Sequence, residues 1–123
     1  MSLQESGEMY LETIYVLSQS ISPLRSIDIC ERMGYSKPSV SRAISILKKE
    51  GYIVTNNHNH IFLTDEGAVI AKKIYERHNI LKDFFILLGV DSQTASEDAC
   101  KIEHVISDTA FEKIKDYISN AKG

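Results

Sequence analysis

Between residues 26 and 64 this chain stops one helix, restarts another almost at once, and then changes its hydrophobic period. In SIDICERMGYSKPSVSRAISILKKEG the apolar residues recur every three or four positions, as on one face of a helix. Gly34 suits the left-handed residue that ends a helix. Ser36 suits the cap of the next helix and Pro38 its first turn. Past Gly51, YIVTNNHNHIFLT reads as two β-branched and aromatic runs around Asn56-Asn57-His58-Asn59, which predicts a β-hairpin. Two helices joined by a tight turn and followed by a hairpin make a winged helix-turn-helix.

The flanks are helical. GEMYLETIYVLSQSI carries Met9, Tyr10, Thr13, Ile14, Leu17 and Ile21 at helical spacing, and Pro23 closes it. Thr64 is placed to cap a long helix that has Asp65 and Glu66 in its first turn and runs to Gly89. Asp91 or Ser92 opens another, through ASEDACKIEHVIS, and Asp108 caps a last one, TAFEKIKDYIS. The expected fold class is mainly α. Residues 1–63 would form a winged helix-turn-helix with a small hairpin wing, and residues 64–123 a helical domain. There is no internal repeat or Pro/Gly-rich linker between them.

Charge and composition narrow the function. At 123 residues with 43% hydrophobic content, the chain can bury one core, or two small ones. The net charge of -3 lies wholly in residues 61–123, while the first 60 residues balance to zero. A basic local element can therefore sit within an acidic whole. No apolar run approaches the roughly 20 residues that span a bilayer, and no secretory pattern opens the chain. Cys30 and Cys100 have no paired spacing, which reads as a reducing cytoplasm rather than a disulfide framework. Met1-Ser2-Leu3 could be an expression remnant, which sequence does not decide.

The second helix of the helix-turn-helix pairs an apolar back of Val40, Ala43, Ile44 and Leu47 with a polar front of Ser36, Lys37, Ser39, Ser41 and Arg42. Small hydroxyls and one long cation can enter a major groove without crowding it. With Arg25, Pro38 and Lys48, these residues are the expected contacts to double-stranded operator DNA. The competing reading is a solvated face on a protein-interaction winged helix. His58 and His60 read as exposed loop histidines, since no third ligand is adjacent. His60 or Asn57 could touch a phosphate.

Near the end of the chain, Cys100, Glu103 and His104 are spaced to share one helix face. Coincidence on an amphipathic helix is the plain reading, and a lone Cys100 would be a buried structural thiol. Met9 and Glu12 stand three apart on the first helix, and His78 lies on the long one. Taken together, imidazole, carboxylate and sulfur donors suit a divalent transition metal and not Mg²⁺ or Ca²⁺.

EMYLETIYVL, KPSVSRAISILKKEGYI, LTDEGAVIAKKIYERH and ACKIEHVIS, in that order, resemble the metal-dependent bacterial transcriptional repressors that include the diphtheria toxin repressor and the manganese transport regulator. The resemblance runs through residues 8–118. It implies a homodimer, with a helical dimerisation domain after the winged helix and metal bound between the two parts. Its manganese-type members hold two ions with an acidic residue where Met9 stands, residues matching Glu12, His78, Glu103 and His104, and a Glu where this chain has Cys100. Its iron-type primary site is matched by Met9, Cys100, Glu103 and His104. The iron-type ancillary site uses His78, but wants a Glu where Lys82 stands and a His where Ser96 stands. Glu12 is an extra carboxylate that could join His78 in a different second ion site. The SH3-like third domain of longer iron-type members has no counterpart in these residues.

Thioether and thiol in place of two carboxylates favour Fe²⁺, Co²⁺, Ni²⁺ or Zn²⁺ over Mn²⁺, and intracellular availability then selects iron among them. The expected effector is therefore Fe(II), with Mn(II) second, acting on a repressor of metal-uptake genes. A metal-independent winged-helix regulator is the alternative. A metallohydrolase with Glu103 as base is disfavoured, because there is no phosphate loop, nucleophile elbow or HExxH run. No enzymatic activity, membrane or small organic substrate is expected. Phe84, Phe85, Leu87 and Leu88 are candidates for the dimer surface, or simply close the intramolecular core.

Overall fold

The computed structural model describes residues 5–122; Met1-Ser2-Leu3 lie outside them. The order is α1 (Glu5–Ser18), α2 (Ser26–Met33), α3 (Lys37–Lys49), β1 (Ile53–Thr55), β2 (Ile61–Leu63), α4 (Asp65–Leu87), α5 (Ser92–Ile102) and α6 (Asp108–Lys122). The described chain is mainly helical, with one two-stranded sheet. The described residues divide into two compact units, with the division falling inside α4 between Lys72 and Lys73.

The first unit is the winged helix. Asp28 Oδ2 accepts the backbone N–H of Arg25 at 2.9 Å and so fixes the start of α2. Gly34 ends that helix at φ 71°, its N–H bonded to Cys30 O at 2.8 Å. Ser36 Oγ accepts the N–H of Ser39 at 3.4 Å, and Pro38 sits in the first turn of α3. The hairpin is antiparallel, with Ile53 opposite Leu63 and Thr55 opposite Ile61.

Alternation along the strands turns Ile53 and Ile61 inward and leaves Val54 and Phe62 exposed. Leu11, Ile14, Ile29, Val40 and Leu47 complete the core with Ile53 and Ile61. Each such side chain contributes about 1.5–3 kcal/mol by leaving water. Leu11 is fully buried although it falls outside the predicted stripe of the first helix, and that helix ends at Ser18, short of Ile21.

Thr64 joins the hairpin to α4. Its Oγ1 donates to Gly51 O at 2.7 Å and accepts the N–H of Gly67 at 3.1 Å. Gly67 passes so close to the backbone of Tyr52 that a Cβ there would overlap Tyr52 O and stand 3.0 Å from its carbonyl carbon.

The second unit comprises the rest of α4 with α5 and α6. Ile74, Leu81, Ala95, Ala99, Phe111 and Ile118 are its buried apolar residues. Asp91 Oδ2 caps α5 by accepting the N–H of Thr94 at 3.0 Å. This bond, chiefly, holds the Asp91 carboxyl below the ordinary aspartate range.

Two further boundaries differ from expectation. α5 stops at Ile102 and does not continue through Ser107. The cause is Arg77, whose buried guanidinium donates to Glu103 O at 3.2 Å and Ile106 O at 2.9 Å. Carbonyls that a longer helix would satisfy internally are turned toward α4 instead. Ser107, not Asp108, caps α6, its Oγ accepting the N–H of Ala110 at 3.1 Å. Asp108 is occupied with Arg77 Nη2, and with Lys73 Nζ at 3.6 Å. Of the apolar segment after His78, Phe84 and Phe85 are half-buried, while Leu87 and Leu88 are exposed. Phe84 meets Tyr117 edge-on at 6.0 Å between ring centroids.

Candidate functional site

In the first unit, α1 places Met9 and Glu12 about one turn apart, both half-buried. Met9 O accepts the hydroxyl of Thr13 at 2.9 Å. Met9 also lines a surface groove of about 360 Å³ with Glu5, Ser6, Tyr10, Met33 and Tyr35. Burial first, then the neighbouring Tyr35 and Cys30, raise the pKa of the Tyr10 hydroxyl, so it stays a neutral phenol near pH 7.

In the second unit, the other four candidates come from α4, from α5 and from the turn after it. Cys100 is half-buried on α5, one turn before Glu103. Glu103 is the C-cap residue, its N–H bonded to Ala99 O at 2.9 Å. Its side chain is completely buried between two imidazoles. His78 Nδ1 stands 2.9 Å from Oε2, and His104 Nε2 stands 3.3 Å from Oε1. The helical spacing therefore carries Glu103, and the turn beyond α5 delivers His104 beside it.

A buried carboxylate needs a positive partner, because isolated charge is costly to take out of water. Here Oε1 is buried and accepts no hydrogen bond. A proton on an imidazole could supply the positive charge, or a cation could take its place with both rings neutral. As donors, the Glu103 carboxylate and the His104 imidazole, close enough to share an ion, suit a borderline divalent one, and the Cys100 thiol one turn before Glu103 adds softness.

Ser96 Oγ lies 3.5 Å from His78 Nε2. The position where an iron-type ancillary ligand is wanted thus does face His78, with a hydroxyl in place of an imidazole.

Arg77 was not singled out by sequence, yet it orders this end of the unit. Besides its two carbonyl partners it lies over the Phe111 ring, 5.3 Å from the centroid. Its partners are 26 to 34 residues away along the chain, so no local pattern marks it.

On the first unit, Arg25, Ser36, Lys37, Pro38, Ser39, Ser41, Arg42 and Lys48 are all exposed. Seven of them lie on α3 or at its cap, and Arg25 caps α2. Val40 and Leu47 face inward from the same helix, so the polar front and apolar back separate as its periodicity requires. No helix of the described residues is long and apolar enough to cross a membrane.

Residues 2–61 match the family described as iron dependent repressor, N-terminal DNA binding domain. Residues 64–122 match iron dependent repressor, metal binding and dimerisation domain. A helix-turn-helix-type transcriptional regulator of Methanocaldococcus jannaschii is 33% identical over 122 residues, covering 98% of each chain. The regulator MntR of Shouchella clausii is 35% identical over 113 residues, covering 92% of this chain and 79% of its own. Among solved structures, the manganese regulator SloR matches with a TM-score of 0.82 at 27% identity over 97% of this chain. This chain spans about half of that one, 55% of its length.

Proposed function

The chain belongs to the iron-dependent repressor family, whose members are transcriptional regulators, and from that premise we propose that it is a metal-activated repressor binding operator DNA as a homodimer. Residues 1–63 read DNA in this proposal, and residues 64–123 bind metal and dimerise. α3 enters the major groove with Ser36, Lys37, Pro38, Ser39, Ser41 and Arg42, while Arg25 and Lys48 hold phosphates. Met9, Glu12, His78, Cys100, Glu103 and His104 are the proposed metal ligands.

The observation that carries the proposal is the buried Glu103 carboxylate set between His78 and His104. A bound ion supplies the positive charge that this carboxylate calls for. Met9 and Glu12 belong to the DNA-reading half, so ligation through them makes metal affinity and DNA affinity depend on one another. Such coupling is typically worth about 1–3 kcal/mol. The two copies of α3 in a dimer must meet half-sites about one helical turn, roughly 34–36 Å, apart.

Fe(II) is the favoured effector, on the softness of Met9 and Cys100. Mn(II) is the second reading, supported by structural neighbours described as a manganese regulator and a manganese-dependent repressor.

The deciding experiment is anaerobic, reducing titration of operator DNA with protein in Fe(II), Mn(II), Zn(II), Mg(II) or chelator. Binding that appears with Fe(II) and disappears with chelator is expected. Binding unaffected by any metal would establish the metal-independent regulator instead. Arg42→Ala should weaken binding in the same assay. It should relax sequence preference if Arg42 reads a base, or flatten the salt dependence if it holds a phosphate.

A further inference from the structure

Glu103 and His104 are the two proposed ligands that lie beyond the helices. α5 ends at Ile102, Glu103 is its C-cap, and His104 lies in the turn that follows. The last four carbonyls of a helix have no partner within it, yet a metal site needs its ligands held to within about 0.5 Å. Side-chain packing does not supply that restraint at Val105, which is 70% exposed in the same turn.

Arg77 does supply it. Its Nη1 donates to Glu103 O at 3.2 Å and to Ile106 O at 2.9 Å, so one nitrogen closes a loop with His104 and Val105 inside it. Nη2 is paired with Asp108 Oδ1, and the guanidinium lies 5.3 Å from the centroid of the Phe111 ring. These two contacts fix the plane of the guanidinium, and with it the direction of Nη1. Carbonyls at a helix C-terminus carry partial negative charge, so a cationic donor suits them. The side chain is buried, and water does not compete for these bonds.

The next residue completes the grip. His78 Nδ1 stands 2.9 Å from Glu103 Oε2. Consecutive residues of α4 thus hold Glu103 by its main-chain oxygen and by its carboxylate. The other carboxylate oxygen, Oε1, accepts no hydrogen bond and faces His104 Nε2 at 3.3 Å.

We propose that Arg77 is a positioning residue for the metal site, fixing the 103–106 turn so that Glu103 Oε1 and the His104 imidazole meet one divalent ion. This rests on the metal-binding reading above. Arg77 acts through the backbone, since its partners in the turn are the carbonyls of Glu103 and Ile106. Loss of the clamp leaves both ligand side chains present and frees the turn that aims them, so affinity for the ion falls in a chain that is still folded.

The test uses the full chain and Co(II), whose visible absorption reports the geometry of its ligands. Affinity is measured by competition with a chelator, under reducing conditions and at a temperature where circular dichroism shows each variant folded. Arg77→Met should bind Co(II) about 10–100-fold more weakly than wild type, the loss typical when the hydrogen-bond partner of a ligand is removed, and with an altered spectrum. Arg77→Lys keeps a cationic donor without the planar fork, and should fall between the two. Ile118→Ala is the destabilised control: it removes a buried side chain of α6 that donates to neither carbonyl. It should keep the affinity and spectrum of wild type.

Wild-type affinity and spectrum in Arg77→Met would overturn the assignment while leaving the metal site intact. An equal loss in Ile118→Ala would also overturn it, because general loosening would then be the cause. If Arg77→Met does not fold, Arg77→Lys decides in its place, and binding like wild type by that variant overturns the assignment. Absence of Co(II) binding by wild type would remove the metal reading itself, and this role with it.

Discussion

His78 Nδ1 stands 2.9 Å from Glu103 Oε2, tying α4 to the end of α5 through a carboxylate that has no solvent exposure. Glu103→Gln preserves the shape and removes the charge. It should weaken metal binding by more than about 100-fold, beyond the usual cost of losing a group that only orients a ligand. Without metal the variant should remain folded, with a lower midpoint from the weakened contacts to His78 and His104. Calorimetric titration beside thermal melts reads both, and unchanged metal affinity would sink Glu103 as a ligand.

Cys100→Glu tests the soft donor. A carboxylate at this position should raise activation by Mn(II) relative to Fe(II). The thiol is also oxidisable, so wild type should lose metal-dependent DNA binding in air faster than the variant. If the ranking of metals does not move, Cys100 is not a ligand and the preference for iron loses its main support.

Arg77 connects three elements without touching a carboxylate of the proposed metal site. Arg77→Met leaves the carbonyls of Glu103 and Ile106 without their donor, which should cost roughly 2–4 kcal/mol in urea unfolding. Asp108→Asn should cost under about 1 kcal/mol, because the Asp108 side chain is 76% exposed and its pairing is screened. Equal losses in the two variants would show that the ion pair, and not the carbonyl clamp, is what matters.

Asp91 makes one contribution to stability on the acid side. Its carboxyl is held below the ordinary range by the Thr94 N–H, so its contribution is complete above the unfolded value of about 3.9. It fades as pH falls through the lower folded value. Asp91→Asn keeps a cap that does not titrate. Wild type should lose stability relative to this variant on acidification below about pH 4, read as denaturation midpoints. Parallel curves would mean that the cap bond is not formed in solution.

Much of the first unit is legible in the sequence because its signals are local. Gly34, Ser36 and Pro38 mark the turn within five positions, and the change of period at Tyr52 marks the wing. The end of α5 is not legible, since Arg77 dictates it from 26 residues upstream. Asp108 is misread as a cap for the same reason: a distant guanidinium claims it. The spacing of Cys100, Glu103 and His104 groups them in the sequence, but a single helix face does not carry all three, because α5 ends at Ile102 and His104 comes from the turn beyond it. That His78 faces Glu103 directly, and Ser96 on its other side, depends on how helices pack and has no signature in either segment.

Gly67 touches neither a proposed ligand nor the DNA face, yet its hydrogen is all that fits against Tyr52 O. In a saturation survey of single substitutions scored by repression, position 67 would tolerate no replacement. Loss-of-function alleles would collect there as densely as at a functional residue. Their cause would be mechanical: the wing base and the first turn of α4 forced apart at a seam with no slack. A tolerance map of this chain therefore has to be read against backbone clearance before its coldest positions are taken for chemistry.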